Sequence, residues 1–283
     1  MKPQFPTFIN PDVTMAPLTV LPPTNRFSEY TAPFILLLSC LTSLPGTLWD
    51  ILTTRPRDIF FPSRWLDALF ARVWGSSTFT AFSNLEEKRR LVSEASGVVI
   101  ELGPGYGLSL EDYDKEAVRH VYLVEPNLDM HEGLKKNIEK FGWADKATVV
   151  GCGIEDEKGL EASGVPQQVD MIVAIQVFCT VPTPERVLPQ VFQRLNRGGQ
   201  LRIFEHILSH DSAARRVQQM YDWFWWFPLG GCSLCRPTDK WLVDPEYMGF
   251  GNQEGWGEVD LNKIVGESRH SCLPCVWGAL TKA

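Results

Sequence analysis

The sequence predicts an α/β protein with a doubly wound, mainly parallel sheet and an added N-terminal helical segment. Three observations carry this. The run Val98-Val99-Ile100-Glu101-Leu102 reads as a buried strand that opens onto Gly103, Gly105 and Gly107. A second strand, Val121-Tyr122-Leu123-Val124, ends in Glu125, 22 residues after Gly103, the spacing of a βαβ unit built around a nucleoside. Strand and helix patterns then alternate as far as His206, as a doubly wound sheet requires.

Element by element, residues 1–30 hold six prolines and no sustained periodicity, which predicts an irregular arm. Residues 31–49 are uncharged and strongly apolar, but Ser39, Thr42, Ser43, Pro45 and Gly46 interrupt a run that would need roughly 20 apolar residues to span a bilayer. A helix packed on the protein's own body is the favoured expectation, with membrane contact the alternative. Apolar residues recur at helical spacing over 58–74, with Ser63 as the expected cap, and a further helix is expected over 85–96. The segment 31–95 therefore reads as a helical lid ahead of a nucleoside-binding domain over 96–283. Within that domain the patterns predict helix over 128–141, strand over 147–151 and 169–175, helix over 184–195, a turn at Gly198-Gly199, strand over 200–206 and a terminal strand from Cys275.

At 283 residues, with 44% hydrophobic and 22% charged residues, the chain has the composition of an ordinary globular protein. A formal charge of −7 and the lack of a basic run argue against a nucleic-acid partner. Lys88-Arg89-Arg90, beside Glu86 and Glu87, reads as a solvated helix face. Seven cysteines and no cleavable leader favour free thiols in a reducing, cytoplasmic setting, with membrane association open. Cys232-x-x-Cys235 and Cys272-x-x-Cys275 have the look of a four-thiolate zinc site, but 36 residues separate the pairs, more than the usual ribbon spacing, so no metal is expected.

Two activities share this architecture, hydride transfer with a dinucleotide and methyl transfer from S-adenosylmethionine. A dinucleotide loop places its third glycine one position later, so that a helix N-terminus opens onto pyrophosphate. Here that position is Leu108. The observed Glu101-x-Gly103-x-Gly105-x-Gly107, followed by the acid Glu125, Gly153-Ile154-Glu155-Asp156, Val169-Asp170-x-Ile172 and Leu195-x-x-Gly198-Gly199, resembles the class I methyltransferases. Within them, Gln176-Val177-Phe178-Cys179-Thr180-Val181, Phe204-Glu205-His206 and Gly231-Cys232-Ser233-Leu234 are similar to two groups. One is the membrane-associated animal enzymes that methylate alkyl thiols. The other is the small-molecule methyltransferases of fungal natural-product pathways, including those acting on roquefortine- and meleagrin-type alkaloids.

The resemblance implies a Rossmann-like, mixed, mainly parallel seven-stranded sheet and S-adenosyl-L-methionine as cofactor. It implies that Gly103, Gly105 and Gly107 border the methionine half, with Glu101 organising the loop. Glu125 and the adjacent Pro126 would hold the ribose, and Gly153, Ile154 and Glu155 the adenine. Gln176 and Val177 would face the methionine moiety and the transfer site, and Phe178 the acceptor. Pro104 departs from the family pattern and removes one backbone donor.

Methyl transfer from a sulfonium is an in-line displacement, so the chain must align a nucleophile with the methyl carbon and exclude water. His206, leaving its strand at the carboxyl edge of the sheet, is the expected base because imidazole titrates near neutrality. The run Trp223-Phe224-Trp225-Trp226-Phe227 exceeds one buried helical stripe, so part of it should line a pocket or meet a membrane or a second subunit, as in a homodimer. Trp65, Phe79, Trp223 and Trp226 are the expected walls for a large hydrophobic acceptor. The combined expectation is methylation of a hydroxyl or N-hydroxyl on a bulky secondary metabolite. A thiol acceptor is the close competitor, and a nonenzymatic binding protein on the same fold the third reading.

Overall fold

A computed structural model describes residues 24–76, 85–250 and 254–283. The seven strands are β1 (Gly97–Leu102), β2 (Val118–Val124), β3 (Ala147–Val150), β4 (Val169–Ile175), β5 (Leu195–His206), β6 (Trp256–Lys263) and β7 (Cys275–Lys282), in the order β3-β2-β1-β4-β5-β7-β6. The first five run parallel. β7 is antiparallel to β5, and β6 to β7, so the sheet is mixed but mainly parallel, as expected.

Side-chain alternation explains why the sheet is covered on both faces. Ile100, Leu102, Ile172 and Ala174 point into one core with Val187, Leu188, Val191 and Phe192 of the helix Pro184–Arg194. Val99, Val121 and Val173 point into the other with Leu134 and Ile138 of the helix His131–Lys140. The order reverses at β1, whose neighbours are β2 on one side and β4 on the other. A crevice opens beyond the carboxyl ends of such strands.

The N-terminal helices are α1 (Arg26–Leu41), α2 (Leu44–Thr54), α3 (Pro62–Trp74) and α4 (Glu86–Ser93). α1 starts inside the expected arm because Asn25 and Ser28 form a reciprocal capping box, with Ser28 N–H donating to Asn25 Oδ1 at 2.9 Å. The rest of the arm and Phe79 lie outside the described residues. α3 is capped by the extended backbone of Phe61 rather than by Ser63, since Pro62 takes the first helical position, where its missing N–H costs nothing. The helix expected over 58–74 is thus a 3₁₀ turn, Pro56–Phe60, followed by α3.

One expectation for this segment holds only in part and another fails. Packing on the protein's own body covers only one side of α1 and α2: Cys40 is buried, while Phe34, Ile35, Leu38, Trp49 and Leu52 are exposed. Lys88 and Glu87 are buried instead of solvated, because α4 lies against β5 and β7. Lys88, Leu91 and Val92 share one helical face, and all three are inside, as is Ala95 just past the helix.

Candidate functional site

The crevice at the β1–β4 switch holds a cavity of about 340 Å³, within the usual size of small-molecule sites. Leu102, Gly103 and Gly105 come from the end of β1, Val124, Glu125 and Pro126 from the end of β2, Gly153 to Glu155 from the loop after β3, and Ile175 to Val177 from the end of β4. Glu125 is buried and accepts the Gly105 N–H through Oε2 and the Asn127 N–H through Oε1, both at 2.9 Å. Burial raises its pKa above the usual carboxylate value, with the two amide bonds opposing. Ile154 provides an apolar wall, and the Glu155 carboxylate folds back over Gly153.

Glycine is required at two points of the loop. At Gly103, with φ +57°, a Cβ would press within 2.9 Å of Val177 Cγ2. At Gly107, with φ +71°, it would collide with Leu134. Gly107 therefore serves the left-handed turn and does not line the cavity, contrary to the expected ligand contact. The chain beyond it forms a short 3₁₀ turn, Leu108–Glu111, with no α-helix N-terminus aimed at the crevice. Glu101 lies beneath the loop, fully buried, and accepts Ser109 Oγ–H at 2.6 Å through Oε1. Burial pushes its pKa to about 7 against the pull of Ser109.

Asp67, Phe70 and Trp74 of α3 close the cavity opposite the sheet. Sequence reasoning had placed α3 at the acceptor through Trp65, but Trp65 packs edge-on against Phe227 with ring centroids 5.6 Å apart. Two hydrogen bonds fix α3 and its approach: Asn127 Nδ2 donates to Asp67 O at 3.0 Å, and Arg55 Nη2 to Asp129 Oδ2 at 3.1 Å.

A second cavity, about 360 Å³ and mainly apolar, adjoins the first. Gln176 lines both, and with φ +58° it is the one described non-glycine residue in the left-handed region. Such strain persists where surrounding structure holds it, and its position between two cavities points to function. The second cavity is walled by Leu36 of α1, Phe204 and His206 of β5, Ile264, Leu273 and Cys275, with Lys88, Glu29 and Glu267 as its charged groups. Lys88 Nζ donates to Gln176 Oε1 at 2.7 Å and sits 4.7 Å from the Phe204 ring centroid. Burial lowers its pKa to about 8. Sequence reasoning missed Lys88, although its three- and four-residue spacing to Leu91 and Val92 marks it as inward-facing.

His206 faces this cavity, but its Nε2 lies 3.0 Å from Cys232 Sγ and its Nδ1 is buried without a partner. Phe178, expected to face the acceptor, is wholly buried in the core beside the helix Pro184–Arg194. Trp223 and Trp226 line neither cavity: they are 75% and 49% exposed, whereas Trp225, one position away, is buried. All seven cysteines are free thiols, and among the described residues the two C-x-x-C pairs form no metal-ligand group with each other. The one described metal-ligand cluster joins Cys232 to Cys179 and His206 instead.

A family model described as a methyltransferase domain matches residues 80–239, more than half of the chain. The chain belongs to this methyltransferase family. Its curated relatives include the human thiol S-methyltransferases TMT1B, 29% identical over 170 residues (57% of this chain and 67% of that one), and TMT1A, 29% identical over 163 residues (57% and 63%). The chain thus spans about two thirds of their length. Among solved structures, an O-methyltransferase family protein from Burkholderia thailandensis superposes with a TM-score of 0.53 at 10% identity, covering 90% of this chain and 72% of that one. The mitomycin 7-O-methyltransferase MmcR superposes with 0.50 at 14%, covering 91% and 71%. These two likenesses speak for the fold alone.

The methyltransferase uses S-adenosylmethionine, and the first cavity fits it. A buried carboxylate stands midway along the crevice, an apolar wall lies at one end, and at the other a glycine loop comes close enough that a Cβ at Gly103 would press on its neighbour. When bound, this cofactor supplies an electrophilic methyl carbon on a sulfonium. The chain contributes alignment, exclusion of water and handling of the acceptor's proton.

Proposed function

We propose that this methyltransferase transfers the methyl group to the sulfur of a small apolar thiol held in the second cavity. The observation that carries the reading is Lys88: a buried amine in an apolar cavity, hydrogen-bonded to the residue shared with the cofactor cavity. The likeness to two thiol S-methyltransferases supports the same acceptor.

In this reading Glu125 accepts the ribose hydroxyls with the lone pairs its amide bonds leave free, and Pro126 closes that end. Gly153, Ile154 and Glu155 take the adenine, Gly103 and Gly105 border the methionine half, and Glu101 holds the loop. Gln176 and Val177 form the wall between donor and acceptor. A thiol and an amine of pKa about 8 exchange a proton at little cost, since free thiols titrate near the same value. Either starting state leads to a thiolate beside an ammonium. The sulfur lone pair then forms the new S–CH₃ bond as the bond to the donor sulfonium breaks, and Lys88 afterwards releases its proton to solvent. Lys88 takes the proton-acceptor role expected of His206, since it bonds the residue shared with the cofactor cavity whereas the imidazole Nε2 faces Cys232.

The reading includes work at a lipid surface, where apolar thiols concentrate. α1 and α2 together form a 29-residue stretch, Arg26–Thr54, apolar enough by length and composition to reach into a bilayer, and most of it is exposed. The helix Ser212–Trp225 packs on α1, and at its end Trp223, Phe224 and Trp226 are exposed as well.

The deciding assay offers the purified chain, with labelled S-adenosylmethionine, a series of alkyl thiols and a matched series of phenols and N-hydroxy compounds. Labelled thioether from the thiols, with rate rising with chain length, is the expected result. Labelled ethers with the thiols untouched would instead establish the hydroxyl acceptor of secondary metabolism.

A further inference from the structure

Behind the second cavity, three chain segments bring Cys179, His206 and Cys232 together. Cys179 follows the end of β4, His206 is the last residue of β5, and Cys232 lies in the turn after the helix Ser212–Trp225. All three are buried, and their sulfur and nitrogen atoms lie within 4.8 Å of one another. His206 Nε2 is 3.0 Å from Cys232 Sγ. Two backbone bonds hold the turn in place, Ser233 N–H to Cys179 O at 2.9 Å and Cys232 N–H to Leu229 O at 3.0 Å.

We propose that Cys179 Sγ, Cys232 Sγ and His206 Nε2 bind a zinc ion, with a solvent molecule as fourth ligand. Tetrahedral zinc with Zn–S of about 2.3 Å and Zn–N of about 2.0–2.1 Å sets its ligand atoms roughly 3.5–3.8 Å apart. The His206–Cys232 pair at 3.0 Å is a little closer than that, and no pair is more than 4.8 Å apart, so binding needs side-chain shifts of about an ångström or less. Two thiolates and an imidazole are a donor set that favours zinc over hard oxygen-seeking cations. An outer contact is in place: Trp225 Nε1–H donates to Cys232 Sγ at 3.3 Å, a bond that strengthens as the sulfur becomes a thiolate. Binding releases the two thiol protons to solvent and consumes no oxidant or reductant. The ion would lock the end of β4, the end of β5 and the aromatic turn into one frame behind the acceptor cavity. It would also keep His206 from acting as a base, in agreement with the role given to Lys88, although the site stands whatever the acceptor is.

The test is elemental analysis of the full chain produced in zinc-supplemented medium, followed by cobalt titration of the metal-free protein. The expected results are about one zinc per chain, an intense thiolate-to-cobalt charge-transfer absorption, and X-ray absorption showing two sulfur ligands and one imidazole. Cys179→Ser, Cys232→Ser and His206→Gln should each lose the zinc, while Cys152→Ser, at a distant thiol, should keep it. If a ligand variant fails to fold, cobalt absorption and the rise in thermal midpoint on zinc addition in the unaltered chain still decide the matter. No zinc retained and no charge-transfer band at stoichiometric cobalt would overturn the site. So would full zinc content in all three ligand variants, or a Cys179–Cys232 disulfide forming in air with no metal bound.

Discussion

The two cavities that meet at Gln176 are built in different ways. The cofactor cavity is assembled from short motifs at the ends of adjacent parallel strands, and backbone amides and glycines do much of its work. The second cavity, proposed for the acceptor, draws single side chains from α1, α4, β5 and the segment between β6 and β7, and it carries a buried charge at Lys88. The residues that line the cavity fitting the cofactor are thus tied to the sheet. The second cavity depends instead on which helices and loops pack over the strand ends.

This contrast predicts effects of different kind and size. The largest belongs to Lys88→Met, which should lower kcat/KM for a thiol by about 10²–10³-fold at pH 7, in the range of a lost acid–base group. Because burial lowers the Lys88 pKa to about 8, the unaltered enzyme should gain activity as pH rises through that value and the amine becomes neutral. The variant should recover part of its loss near pH 9.5, where the thiol ionises unaided, while its cofactor affinity stays unchanged. An unchanged rate at pH 7 would remove Lys88 from the chemistry.

Glu101→Gln comes next and probes the loop. The folded-state pKa of Glu101 is raised to about 7, so its folding contribution is fully present below the unfolded value near 4.5 and is lost as pH climbs through 7. Thermal unfolding between pH 4.5 and 8 should therefore show the unaltered protein losing about 3 kcal/mol that the glutamine variant retains. Parallel pH profiles for the two proteins would contradict this.

Glu125→Ala should weaken S-adenosylmethionine binding by roughly 10–100-fold, the worth of hydrogen bonds to a charged group. Calorimetry reads this directly, and unchanged affinity would dismiss the ribose assignment. The smallest effect on folding belongs to Trp223→Ser combined with Phe224→Ser. These exposed rings should change stability by no more than about 0.5 kcal/mol, yet the double variant should sediment less with phospholipid vesicles than the unaltered chain. Equal sedimentation would exclude this surface from lipid contact.

The difference between the cavities also explains what could be read in advance. The strand ends at Leu102, Val124 and Ile175, the glycine loop and Glu125 were legible because each is a local pattern with a local cause: a hydrophobic run, a positive φ, a carboxylate at a fixed interval. Gly107 was read too generously, since the same pattern does not say which glycine meets a ligand and which meets Leu134. On the acceptor side local patterns misled. A charged trio on a short helix read as solvated until α4 was seen packed on β5 and β7, with Lys88 inside. Five aromatic residues in a row suggested pocket walls, but helical geometry buries Trp225 and turns Trp223, Phe224 and Trp226 outward.

By itself, then, the sequence showed the parallel strands and the crevice, because hydrophobic period and glycine placement act over a few residues, and its resemblance to class I methyltransferases implied the donor. Only the tertiary structure decided the second cavity, the burial of Lys88 beside Gln176, and the meeting of Cys179, His206 and Cys232. Those depend on residues far apart in the chain, 88 positions in the case of the Lys88–Gln176 hydrogen bond, and no local pattern encodes which of many distant partners the packing of helices on a sheet will choose.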